Sequence, residues 1–148
     1  MTDQQTKQWE QDDKVAAFMA ALPYAKELGM EVTEIGSGRA VTAMPYDRKL
    51  IGDPETGVIH GGAVSALLDT CAGAAVMCHP SVTKAAATLD LRIDYMRSAK
   101  AGQTIVATAE CYHVTRTVAF VRATAVDDDT DRPVATASAT FTLAQGEL

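Results

Sequence analysis

The stretch GVIHGGAVSALLDTCAGAAV, Gly57 to Val76, decides how the rest of this sequence is read. From Gly61 or Gly62 to about His79 it has the length and the Ala/Leu content of a helix. Its apolar residues fall on all sides, which predicts a helix buried all round. Two features interrupt the pattern. The run opens on His60-Gly61-Gly62, and between Ala63 and Cys78 its one charged side chain is Asp69. A carboxylate in apolar surroundings is either held by a partner or kept for a reaction.

The chain beyond this helix is β-rich. TLDLRIDYM, Thr88 to Met96, alternates strictly, with Leu89, Leu91, Ile93 and Tyr95 on one face and Asp90, Arg92 and Asp94 on the other. That is the pattern of a half-buried antiparallel strand. Three more runs come after it, Gln103–Val114, Thr117–Val126 and Pro133–Leu143, separated by Thr115-Arg116 and by the acidic DDDTDR. Upstream, Trp9, Val15, Phe18, Met19 and Leu22 keep near-helical spacing between about Gln8 and Leu28, with Pro23 marking a turn. Gly36-Ser37-Gly38 separates two imperfectly alternating runs, a hairpin signal. Arg48 to Gly62 is rich in turn residues, shows no period and reads as a loop. The sum is α+β: a curved antiparallel sheet wrapped around one apolar helix, preceded by an N-terminal helix.

At 148 residues, with 47% hydrophobic and 22% charged content, the chain fits one domain, residues 1–148, with a helical extension over 1–28 and a core over 30–144. A formal charge of −6 and a pI near 4.9 argue against nucleic acid or an anionic membrane as partner. The polar start lacks a secretory pattern, no apolar run is long enough to span a bilayer, and three cysteines are an odd number for a disulfide framework. A reduced, cytoplasmic setting is expected.

Most reaction constellations are missing. There is no G-x-S-x-G, and no histidine pairs with a serine by any recognisable spacing. Cys71 and Cys78 share a helix face but read as small-residue packing. Asp127, Asp129 and Asp131 imitate a calcium loop, yet Arg132 replaces its glycine and Ser138 its bidentate glutamate, so a solvated acidic turn is the better reading. No metal site is expected.

His60-Gly61-Gly62 admits two readings. Glycines at a helix start let free N–H groups approach a developing oxyanion, or they turn the chain while His60 bonds the loop. Asp69 adds a constraint. It lies eight residues beyond Gly61, roughly 12 Å along the helix axis, whereas a base and an oxyanion donor serving one carbonyl each stand about 3 Å from it. Two such helices, antiparallel across a two-fold axis, bring the Asp69 of one to the Gly61 of the other. The alternative is a buried ion pair, or a hydrogen bond to Ser65 or Thr70.

The stretch DPETGVIHGGAVSALLDTCAGAAV, with TLDLRIDYMRSAKAG, VTRTVAFVRATAV and ATASATFTL downstream, resembles the hotdog-fold thioesterases of the phenylacetate-degradation type, the PaaI-like acyl-CoA thioesterases. The resemblance runs from about Met30 to Leu143. It implies a dimer, with dimers pairing into tetramers, that hydrolyses aryl-acetyl or medium-chain acyl-CoA and needs no cofactor, coenzyme A being part of the substrate. The implied catalytic set is Gly61 as oxyanion donor next to the motif residue His60, Asp69 of the opposite protomer as nucleophile or general base, and Asp53. Gly62, Thr88 and Arg116 would bind substrate, Thr88 by positioning water and Arg116 by meeting a coenzyme A phosphate, with Arg97 and Lys100 adding to a cationic rim. Asp53-Pro54 stands where the family has Asn-Pro, and Thr115-Arg116 where Gly-Arg is common. An ionised aspartate accepts hydrogen bonds but cannot donate one, which keeps a non-catalytic acyl-CoA-binding protein as the alternative. A hotdog enoyl-CoA hydratase is disfavoured, since no histidine and aspartate share a loop in that group's manner.

Overall fold

In the structure, a computed structural model that describes residues 1–144, the first helix begins before the apolar spacing announces it. α1 runs Asp3–Ala21 because Thr2 and Gln5 form a reciprocal capping box: the Gln5 N–H donates to the Thr2 hydroxyl and the Thr2 N–H to Gln5 Oε1. Val15 and Met19 are buried, whereas Trp9 and Phe18 are exposed. Leu22 is extended, as a residue before proline must be, and Pro23 opens a second short helix, α2 (Pro23–Glu27), in place of the expected turn.

β1 (Glu31–Gly36) and β2 (Arg39–Met44) form the expected hairpin. Ser37 and Gly38 both take positive φ, 51° and 82°, the conformation of a tight two-residue turn between twisted strands. The segment read as a loop holds a 3-10 turn (Arg48–Leu50) and a small hairpin of β3 (Ile51–Asp53) and β4 (Val58–Ile59). Strands of three and two residues are too short to show a period, which is why the sequence hid them.

The central helix, α3, spans Gly61–Met77. β5 (Ala86–Tyr95), β6 (Ile105–Val114), β7 (Val118–Val126) and β8 (Ala135–Leu143) complete a six-stranded antiparallel sheet in the order β1-β2-β6-β7-β8-β5. All six strands reach α3, chiefly β6, β7 and β2, and this is the hotdog arrangement expected from the sequence. Leu67, Leu68, Cys71, Ala72 and Val76 are wholly buried against the sheet.

Two expectations need correction. α3 is not buried all round: Ala66, Asp69, Thr70, Gly73 and Met77 form a half-exposed stripe, because the sheet does not close and leaves a gap between its edge strands β1 and β5. Nor does β5 alternate strictly. Its register with β8 shifts between Thr88 and Asp90, so Leu89 is bulged and 60% exposed, and Thr88 falls on the same face as Leu91 and Ile93.

Candidate active site

The first turn of α3 is capped by its own preceding residue. The Gly62 N–H donates to His60 Nδ1 at 2.8 Å, and the Ala63 N–H to the His60 carbonyl at 3.0 Å. The Gly61 N–H has no acceptor among the described residues, and Gly61 is exposed. Of the two candidate glycines, then, Gly62 has its donor engaged by His60, and Gly61 presents a free one at the positive end of the helix dipole. The 3-10 turn and β3 support this corner closely. His60 N–H donates to the Leu50 carbonyl at 2.8 Å, and a Cβ on Gly52 would stand 2.7 Å from His60 Cα.

About two turns further along α3, Asp69 Oδ1 accepts the Thr88 hydroxyl at 2.8 Å. The β5 bulge makes this possible by turning Thr88 inward. Asp69 has no cation partner among the described residues, and Ser65 bonds elsewhere, to the Gly61 carbonyl at 3.2 Å and to Tyr95. The buried ion pair and the Ser65 bond weighed for Asp69 are therefore not formed. Its second oxygen is left for another donor.

Tyr95, read from sequence as a core-facing residue of the strand, belongs to this site. Its hydroxyl donates to the Gly61 carbonyl at 2.8 Å and meets the Ser65 hydroxyl, while its ring lies at ordinary contact distance from where a Gly61 Cβ would sit. β5 thus runs beside the N-terminal half of α3, touching it at Gly61 through Tyr95 and at Asp69 through Thr88. A cavity of about 250 Å³ lies between Gly61, Val64, Tyr95 and Met96. Alternation alone assigns Tyr95 a face, and nothing in it distinguishes a hydroxyl at a helix end from a packed ring.

The remaining candidates make no hydrogen bond to Gly61 or Asp69 among the described residues. Asp53 closes its own turn, accepting the Thr56 hydroxyl at 2.6 Å and the Glu55 N–H at 3.0 Å. The Thr56 bond first, then the Glu55 bond, hold its carboxyl below the usual range. Arg116 is exposed in the β6–β7 turn. The register Thr88, Phe141, Ala119 across β5, β8 and β7 places that turn at the same end of the sheet as Thr88.

Arg97 is not part of a free cationic rim. Its guanidinium binds both oxygens of Asp127, at 2.8 and 2.6 Å, and reaches the carbonyls of Ser98, Asp129 and Arg132. Asp127 in turn is buried rather than solvated, and also accepts the N–H groups of Lys100 and Asp129. The Arg97 bonds are the main reason its carboxyl is held far below the usual range. The three thiols are buried and unpaired, and burial pushes Cys71 and Cys111 up to about 11. Among the described residues no group of three or more His, Cys, Asp or Glu side chains is placed to hold a metal ion, and no helix is long and apolar enough to cross a membrane.

Known proteins resemble this chain in sequence and fold. The profile of the thioesterase superfamily matches residues 56–134, more than half of the chain. A medium/long-chain acyl-CoA thioesterase of Escherichia coli K12, YigI, is 25% identical over 137 residues, covering 84% of this chain and 87% of its own. Among solved structures, a Pseudomonas aeruginosa protein is 36% identical with a TM-score of 0.79, covering 89% of this chain and 98% of that one. The PaaI protein of the E. coli phenylacetic acid degradation operon is 25% identical with a TM-score of 0.80, covering 95% and 96%. With the family profile seated across the helix that carries Gly61 and Asp69, this chain belongs to the thioesterase superfamily as a PaaI-like, hotdog-fold thioester hydrolase.

Proposed function

We propose that the protein hydrolyses acyl-CoA thioesters, aryl-acetyl or medium-chain, to the free acid and coenzyme A, at a site shared between two protomers. The observation that carries this reading is the pairing of an unneutralised carboxylate, Asp69, held by Thr88, with a free N–H at Gly61 on one open stripe of one helix. Neither group alone suffices, and a single helix holds them roughly 12 Å apart. A second copy with its helix antiparallel supplies the missing half. The unpaired edge of β5, with Leu89, Tyr95 and Met96 exposed, supports such a two-fold contact, and pairing of dimers into a tetramer extends it.

The chemistry then follows from the parts. The thioester carbonyl oxygen sits at the Gly61 N–H of one protomer, where its developing negative charge is stabilised. Asp69 of the other protomer takes the proton of a water as the water oxygen attacks the carbonyl carbon, or attacks that carbon itself and is freed by water afterwards. The C–S bond breaks, and the coenzyme A thiolate leaves readily because its conjugate thiol is far more acidic than an alcohol. Thr88 fixes the Asp69 rotamer, and His60 fixes the helix turn from which the Gly61 N–H points. Arg116, exposed at the same end of the sheet as Thr88, would meet the phosphates of the coenzyme. No metal or further cofactor is required, and a cytoplasmic setting fits both the substrate and the free thiols.

Thiol release from a panel of phenylacetyl-, hydroxybenzoyl- and straight-chain acyl-CoAs tests the reading, for wild type beside Asp69→Ala. Release by the wild type that falls by about 10²-fold or more in the variant is expected. Equal release by both would overturn the assignment of Asp69, and a folded wild type silent on every substrate would overturn the activity.

A further inference from the structure

A cavity of about 270 Å³ lies beneath the N-terminal helix, walled by Ala16, Met19 and Ala20 of α1, by Met30 and Val32, and by Thr70 of α3. It exists because α1 puts alanine at positions 16 and 20, one turn apart, where a tightly packed helix would put larger side chains. The helix that roofs it is not loose. The Gln11 side-chain amide donates to the carbonyls of Met77, His79 and Val82, and Gln8 to that of Cys78, so α1 is fastened over the C-terminal end of α3. On the floor, Thr42 is wholly buried and its hydroxyl has no partner among the described residues. Glu31 edges the cavity, exposed and without a cation partner among the described residues.

Its position relative to the reacting groups matters most. Thr70 is the residue after Asp69, and both lie on the open stripe of α3. The cavity, lined mostly by apolar side chains, therefore reaches the residue next to the proposed base along α3. Methionines suit such a wall, since their flexible side chains adapt to chains of different shape.

We propose that this cavity receives the acyl chain of the substrate, that Met19 sets the chain length accepted, and that Glu31 at its edge disfavours acyl groups ending in a carboxylate. This rests on the thioesterase reading of Asp69 and Gly61. It makes the N-terminal helix a specificity element of the enzyme, although that helix lies wholly outside the segment the family profile matches.

The test compares thiol release from butyryl-, hexanoyl-, decanoyl- and glutaryl-CoA by wild type, Met19→Trp and Met19→Ala, with Ala16→Leu as a second filling variant should Met19→Trp fail to fold. Filling the cavity is expected to lower the decanoyl-to-butyryl ratio of kcat/KM by at least about tenfold, since each methylene in an apolar pocket carries roughly that discrimination. Met19→Ala is expected to raise the ratio, and hexanoyl-CoA to outrun glutaryl-CoA in the wild type. Ratios that stay parallel across all variants overturn the proposal while leaving the activity intact. If the wild type hydrolyses nothing, the thioesterase reading fails separately, and calorimetric binding of the same acyl-CoAs decides the pocket: a length preference that shifts with Met19 upholds it, and one that does not refutes it.

Discussion

Gly61→Pro removes the proposed oxyanion donor and little else. Gly61 is the first residue of α3, where proline is favoured because its missing N–H has no partner in the helix. His60 already sits at φ −59° and ψ 133°, the extended conformation that a residue before proline adopts, and its carbonyl and imidazole can go on capping Ala63 and Gly62. Loss of one such donor lowers kcat by about 10²- to 10³-fold, with little change in melting temperature. The proposed sharing of the site between protomers gives this variant a sharper use. Asp69→Asn removes the carboxylate and keeps the N–H, and Gly61→Pro does the reverse. A mixed dimer of the two holds one site in which both groups are intact and one in which both are lost. Purified through two different tags, it should turn over at about half the wild-type rate, against parents reduced at least about a hundredfold. A site built within one protomer would leave both halves of the mixed dimer damaged. Activity no greater than that of the parents would refute the two-fold arrangement and send the search for the missing group back into the single chain.

Gly52→Ala should cost both stability and rate, because the new Cβ falls about 0.8 Å short of the roughly 3.5 Å at which carbons rest, and it meets the backbone of His60. Such overpacking costs about 1–3 kcal/mol, and a displaced Gly61 N–H lowers kcat by up to about 10²-fold; an unchanged melting temperature and rate would show that β3 does not brace the helix start. Acid unfolding followed by circular dichroism should move to higher pH in Arg97→Met. Asp127 is held low in the folded state, so its contribution is present above the ordinary carboxylate range and lost only as pH falls through the depressed native value; without Arg97 that loss begins earlier. Thiol titration near pH 7.5 should find Cys71, Cys78 and Cys111 slow to react in the native protein and all three reactive in guanidinium, since burial raises each of them. Rapid native labelling would contradict their burial.

Long-period features were legible in the sequence. The all-apolar helix, the four β-runs and the Gly36-Ser37-Gly38 turn each carry enough residues to show a pattern, and the structure places all of them close to where they are expected. His60, Gly61 and Asp69 stood out because each breaks the pattern around it. The features that escaped reading depend on contacts between distant segments. The bulge at Leu89 adds one residue to a strand whose alternation looks unbroken, and it reassigns Thr88 from the outer face to Asp69. Tyr95 gained its role from a helix 34 positions away. Arg97 looked free until Asp127 was folded against it. The start of α1 was the exception, since the Thr2-x-x-Gln5 capping signature is local and readable without a structure.

The strand order has a consequence for the time at which this site comes into being. β5 carries Thr88 and Tyr95, yet its ladder partner is β8, which begins 40 residues after β5 ends. During synthesis α3 and β5 emerge together, but β5 has no sheet to join until β6, β7 and β8 have been made and paired. Contacts of such long sequence separation form slowly, because the intervening chain must first be closed. The hydroxyls that hold Asp69 and the Gly61 carbonyl are therefore among the last groups to be set in place. A nascent chain halted before β8 would carry Asp69 and the helix start without the strand that organises them.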